Sequence, residues 1–222
     1  MKNLIIMKIN GVKGKLMNRD IKLEAEKIFK EAKLRGIKLK LFGSVGIKFR
    51  CHTHRRSTFD IDFVALREDI GKIKALFRDL GYKFSSISKK RTDFVFFKKE
   101  PIKVKIDVDV DGLRMFEEGY FIPLREYIMQ DEHPSLPSGI LLVLKMLAPV
   151  DDDTAYDIIC LLNEDPPLIS AVVDFLNKHP KIREIIKRKI SSLISVVQKE
   201  PRRTKKEKFK TIGYLKKLKK IL

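Results

Sequence analysis

The chain has 222 residues, 44% of them hydrophobic and 35% charged, with a formal net charge of +19. That length suits one domain, or two small ones, with a real core. No apolar stretch reaches the roughly 18 residues of a membrane span. The opening MKNLIIMKING is too short an apolar run for a signal peptide, and no small-residue cleavage site follows it. Two cysteines far apart, Cys51 and Cys160, support neither a disulfide framework nor a zinc ribbon. A reducing cytoplasm is the expected setting, and the Lys/Glu-rich, Gln-poor composition is of the kind thermophile proteins show.

The charge is uneven. Residues 181–222 hold 16 Lys/Arg against 3 Glu, so most of the excess lies in the tail. A localised basic segment suits an anionic polymer, RNA or DNA, held through its phosphates. The competing reading is a solvated, lysine-rich helix face.

In chain order, Leu4–Ile9 reads as a short strand and Asn10-Gly11 as a turn. A helix follows from a cap at Asn18 or Asp20 to about Leu34, with Ile21, Ala25, Ile28, Phe29 and Ala32 on one stripe, and Gly36 stops it. A strand over 37–42 runs into Gly43-Ser44, and a short helix is expected over 45–49. Residues 51–58, CHTHRRST, read as a polar, basic loop. His52 and His54 have the types of metal ligands, but no third Cys or His lies close in sequence. Arg55 and Arg56 stand just before an acidic pair and could reach phosphate oxygens; a solvated loop is the simpler reading of both pairs.

Residues 59–66 read as a buried strand containing Asp60-Ile61-Asp62. Alternate side chains share a face, so Asp60 and Asp62 point the same way, about 7 Å apart. Carboxylates in such a setting protonate, pair or bind metal. A pair beside a Gly-Ser turn suits a divalent ion such as Mg²⁺ that also holds phosphates, whereas a bare D-x-D is also found on solvent-facing strand ends. A helix is expected over 69–80, then strands over 82–88, 92–98 and 102–110. The last alternates strictly, with Lys103, Lys105, Asp107 and Asp109 on its polar face. Paired next to the Asp60 strand, it brings three or four Asp together.

Residues 113–137, with three prolines, read as a helix-poor connection, and beyond them the pattern is all helical. Helices are expected over 138–148, from the Asp151–Thr154 cap onward, over 167–178 and 181–199, and from Lys205 to Leu222. Lys145 is the one charge in an apolar helix, where a lysine ordinarily snorkels outward; its functional reading is a reach to the carboxylate site or its phosphates. The fold class expected is α+β: a mixed sheet flanked by helices over 1–135, then a helical part with a basic tail over 136–222.

Gly43-Ser44, then Asp60-Ile61-Asp62, then an Asp on a later strand, resembles the nucleotidyltransferase superfamily that includes DNA polymerase β. KIDVDVDGLRM (105–115), PSGILLVLKMLAPV (137–150) and AYDIICLL (155–162) narrow the resemblance to the AbiEii-like, toxin-type members found in abortive-infection and toxin–antitoxin systems. It covers about residues 37–165. It implies metal ligation by Asp60, Asp62 and a third carboxylate, aligned at Asp107. Asp109 stands where the family is usually apolar, so the third ligand is open between Asp107 and Asp109. Lys145 and Asp157 align with the family's motif Lys and Asp, and Tyr156 replaces a usual Lys.

The activity so implied is Mg²⁺-dependent transfer of NMP from an NTP to a hydroxyl, with two ions and Mn²⁺ as a substitute. Gly43 and Ser44 would cradle the triphosphate, with Lys145 as a point charge and Arg56 as a further contact. The acceptor expected is RNA, such as a tRNA end, reached through the tail; an antitoxin protein is the implied partner. Two alternatives stand beside it: a small-molecule or protein nucleotidyltransferase, and a non-catalytic RNA-binding protein on this scaffold.

Overall fold

A computed structural model of the chain describes residues 21–86, 93–98, 104–115, 120–130 and 133–222. The strand expected at 4–9, its turn and the Asn18 or Asp20 cap lie outside these residues. The described chain forms two compact units. One holds residues up to Phe49 together with Arg55–Leu136, and the other holds Arg50–His54 with Pro137–Leu222.

The first unit is α+β. Helix α1 (21–34) buries Ile21, Ala25, Ile28 and Ala32, with Phe29 partly buried beside them. Strand β1 (Leu39–Phe42) leads into α2 (Gly43–Arg50), and β2 (Asp60–Ala65) follows. A 3₁₀ turn over Arg67–Asp69 enters α3 (Ile70–Asp79). Strands β3 (Lys83–Ser86), β4 (Phe94–Lys98) and β5 (Val104–Val110) complete a sheet of order β1-β2-β5-β4-β3. The β2–β5 pair is parallel and the others are antiparallel.

Ile61, Phe63, Ala65, Val104, Ile106 and Val108 face a core shared with α1 and α3. Each large apolar side chain buried there contributes about 1.5–3 kcal/mol. The sheet's other face is left to the alternate residues, which include Asp60, Asp62, Asp107 and Asp109.

The connection after β5 departs from expectation. It contains a two-stranded antiparallel sheet, β6 (Gly112–Met115) with β7 (Tyr120–Pro123), and a short helix, α4 (Arg125–Met129). Its three prolines mark the end of β7 and the loop after α4, so they bound these elements instead of preventing them.

The second unit is helical: α5 (Ser138–Leu147), α6 (Asp152–Glu164), α7 (Ile169–Lys178), α8 (Pro180–Lys199) and α9 (Lys205–Ile221). Asp151 caps α6, its Oδ1 accepting from Thr154 N at 2.7 Å. Thr204 and Glu207 form a capping box on α9, which satisfies two of its first amides. Arg50–His54 is tied to α6 and its end by Arg50–Asp165 at 3.0 Å and by Thr53 N to Glu164 at 3.2 Å. Among the described residues, no helix is long and apolar enough to cross a membrane.

Candidate active site

The antiparallel register of β1 with β2 sets Phe42 opposite Asp62, and the parallel register of β2 with β5 sets Asp62 opposite Asp107. Asp60, Asp62 and Asp107 therefore converge, each offering an oxygen within 4.8 Å of the others. Asp60 and Asp62 are half-buried and Asp107 is buried. Gly43 follows Phe42 directly and has φ +60°. A Cβ built on it would collide with Asp62 Oδ2. The turn thus demands glycine twice, for a left-handed backbone and for the close approach of a carboxylate.

Thr58 Oγ1 donates to Asp60 Oδ1 at 2.5 Å, and Lys105 Nζ pairs with Asp107 Oδ2 at 2.5 Å. Asp107 Oδ1 is buried and has no hydrogen-bond partner among the described residues. An acceptor left so is costly unless a cation takes it. The three carboxylates, that oxygen and the space kept by Gly43 fit a divalent ion with oxygen ligands. Ser44, buried in the first turn of α2, accepts from the Arg56 guanidinium, so the arginine expected in a solvated loop lies against the turn.

Asp109 lies two residues further along β5, opposite Val64, and is outside the converging trio. Burial, then the negative charges of Asp93, Asp62 and Asp107, push its carboxyl up to about 8, against the pull of Arg114.

Lys145 and Asp157 belong to the helical unit. Lys145 Nζ pairs with Asp157 Oδ2 at 2.7 Å, and His54 meets Asp157 Oδ1 at 2.6 Å. The side chains of His54 and Asp157 have no exposed surface. His54 is therefore a buried partner of Asp157, where the sequence suggested a solvated loop; its neighbour His52 is exposed. Tyr156 packs with the Arg203 guanidinium 4.4 Å and the Arg202 guanidinium 4.8 Å from its ring centre. Two arginines thus pack against the tyrosine that stands where the resemblance expects a lysine.

Three side chains at these sites escaped the sequence. Thr58 and Lys105 each lie two residues before a site aspartate, so strand alternation gave a signal for both. His54 lies 103 residues from Asp157, and no local pattern relates them.

No protein-family model and no curated protein matches the chain. Solved structures do. The antibiotic-resistance factor ANT(2″)-Ia in solution is 14% identical, with a TM-score of 0.43 over 82% of this chain and 92% of that one. The crystal structure of ANT(2″)-Ia with adenylyl-2″-tobramycin is 16% identical, with a TM-score of 0.41 over 89% and 98%. An antigenic nucleotidyltransferase-like protein from Paracoccidioides brasiliensis is 14% identical, with a TM-score of 0.44 over 77% and 94%.

Proposed function

We propose that the chain transfers a nucleoside monophosphate from an NTP to a hydroxyl, on RNA such as a tRNA end. The observation that carries this reading is the convergence of Asp60, Asp62 and Asp107 on two parallel strands, beside a turn that only glycine can make. Asp60, Asp62 and Asp107 would hold two Mg²⁺ ions, or Mn²⁺, which neutralise charge on the pyrophosphate and lower the pKa of the acceptor hydroxyl.

The chain's own groups supply the rest. Ser44 and the first amides of α2 provide donors for phosphate oxygens, and Arg56 adds a planar guanidinium. The acceptor oxygen bonds to the α-phosphorus as the bond to pyrophosphate breaks, and Asp107 takes the hydroxyl proton. Lys145, oriented by Asp157, is assigned a point charge on the triphosphate. Positioning and charge neutralisation account for most of such catalysis. RNA as acceptor is supported by the 16 cations against 3 glutamates in residues 181–222. The likeness of residues 105–162 to toxin-type members adds an antitoxin protein as partner.

The test incubates the protein with Mg²⁺, total tRNA and each α-labelled NTP in turn, beside an Asp60→Asn/Asp62→Asn control. Label on RNA that the control lacks is the expected result. Label on a small molecule or on the protein instead would replace RNA as the acceptor, and no label anywhere would overturn the transferase reading.

A further inference from the structure

Helix α9 buries Thr211, Leu215, Leu218 and Leu222 on one side. At 100° per residue the opposite side carries Lys205, Lys206, Phe209, Gly213, Lys216, Lys217 and Lys220. All five lysines are exposed, and Phe209 keeps 81% of its surface in solvent. Gly213 lies one turn beyond Phe209, and a Cβ there would meet nothing within 4 Å among the described residues. The ring therefore stands beside open backbone, between two lysine clusters about 18 Å apart along the axis.

This face is costly for the free protein. Lys205 and Lys206 sit in the first turn, where the helix dipole disfavours cations. Lys216 and Lys220 are a like-charge i,i+4 pair. Over the whole helix eight lysines face one glutamate, and that glutamate, Glu207, is engaged with Thr204 and Arg203. A helix made soluble by charge would interleave the two signs.

We infer that the outer face of α9 binds an unpaired stretch of RNA, with Phe209 stacking on a base and the two lysine clusters holding phosphates on either side; this rests on RNA being the acceptor. The lysines supply phosphate contacts without sequence preference. An exposed aromatic ring adds what a duplex cannot use, a platform for an unstacked base. A membrane surface fits less well, since one aromatic ring without flanking leucines is too narrow an apolar face to insert. A second copy of the chain would bring the same cations against these.

The test measures binding of a short fluorescein-labelled single-stranded RNA, its blunt duplex, and phosphatidylserine vesicles across a salt series. It uses the full chain, Phe209→Ala, Phe209→Tyr and Lys216→Ala/Lys217→Ala, with circular dichroism as the folding control. Phe209→Ala is expected to weaken single-strand binding roughly ten-fold and to leave the duplex nearly unchanged, and Phe209→Tyr to retain binding. The double lysine variant is expected to lower the log–log salt slope by about 1.4.

Folded variants that bind the single strand as the parent does would overturn the inference. So would losses confined to vesicles, which would make the face a membrane contact. Label transfer to tRNA separates the two readings. Phe209-dependent RNA binding without any transfer removes the acceptor reading and leaves this surface. Transfer that all variants perform equally, with unchanged binding, removes the surface and leaves the acceptor.

Discussion

Gly43 is where backbone and chemistry meet most closely. Its left-handed backbone costs an alanine about 1–2 kcal/mol, and an added methyl would also displace the Asp62 carboxylate. Gly43→Ala is therefore expected to lower Tm by a few degrees while lowering NMP transfer about 100-fold, the scale of a 1 Å misplacement. A thermal melt and a single-turnover label assay read the two effects separately. The choice between Asp107 and Asp109 as third ligand belongs to the same scale. Among the described residues, Asp107 keeps a buried oxygen without a hydrogen-bond partner, whereas Asp109 lies outside the trio of converging carboxylates. Asn reproduces the shape and hydrogen-bonding groups of a protonated carboxyl but cannot ligate as a carboxylate. Asp107→Asn should lose about two orders of magnitude in transfer rate, and Asp109→Asn should stay within a few-fold of the parent.

Elements with strong local patterns are legible in the sequence alone. The α1 stripe from Ile21 to Ala32, the alternation of β5 and the Asp151 cap of α6 all follow from period and capping alone. The meeting of Asp60 and Asp62 with Asp107 was legible as a condition, that β2 and β5 be neighbours, which the sheet order meets. What escaped depends on distant partners. The short β6 and β7 stabilise each other by pairing and show little period of their own, and His54 takes its role from Asp157 on another element.

The α8–α9 junction gives a prediction at this scale. Glu200 has no exposed side-chain surface and accepts from Arg202 N at 2.9 Å, Nε at 2.7 Å and Nη2 at 2.9 Å. Burial alone would push its carboxyl up, but the hydrogen bonds from Arg202 outweigh it and hold the group below its ordinary 4.5. A depressed folded-state value means stability that is present above the unfolded value and lost as pH falls through the folded one. Glu200→Gln should cost about 1–2 kcal/mol at pH 7, and the difference from the parent should shrink as pH falls below 4.5. Chemical denaturation at several pH values measures it; a constant difference across pH would locate the cost in packing.

At the scale of the whole molecule, two opposite electrostatic demands stand in one chain. A net charge of +19 repels a divalent cation and attracts a polyanion. Yet Asp60, Asp62 and Asp107 gather three carboxylates within 4.8 Å, against which the described chain sets the ammonium of Lys105, on Asp107, a cluster rich in negative charge that favours a bound cation. A cation that binds the folded trio alone stabilises it by about 2.7 kcal/mol at a hundred-fold excess over its Kd. That corresponds to roughly 5–10 °C in Tm for a chain of this size. The two ligands should then respond to salt in opposite senses. Moderate KCl screens the long-range repulsion of Mg²⁺ by the surface lysines, while the short-range contacts at the partly buried trio are screened less. The Mg²⁺-induced rise in Tm should therefore persist or grow as KCl increases. RNA binding, driven by counterion release, should weaken steeply over the same range. Melts with Mg²⁺ or EDTA and RNA titrations in one salt series test both halves. The Asp60→Asn/Asp62→Asn protein should lose the Mg²⁺ shift and keep the RNA slope. A Mg²⁺ shift that survives in that variant would place the ion elsewhere and remove the trio from the metal's account.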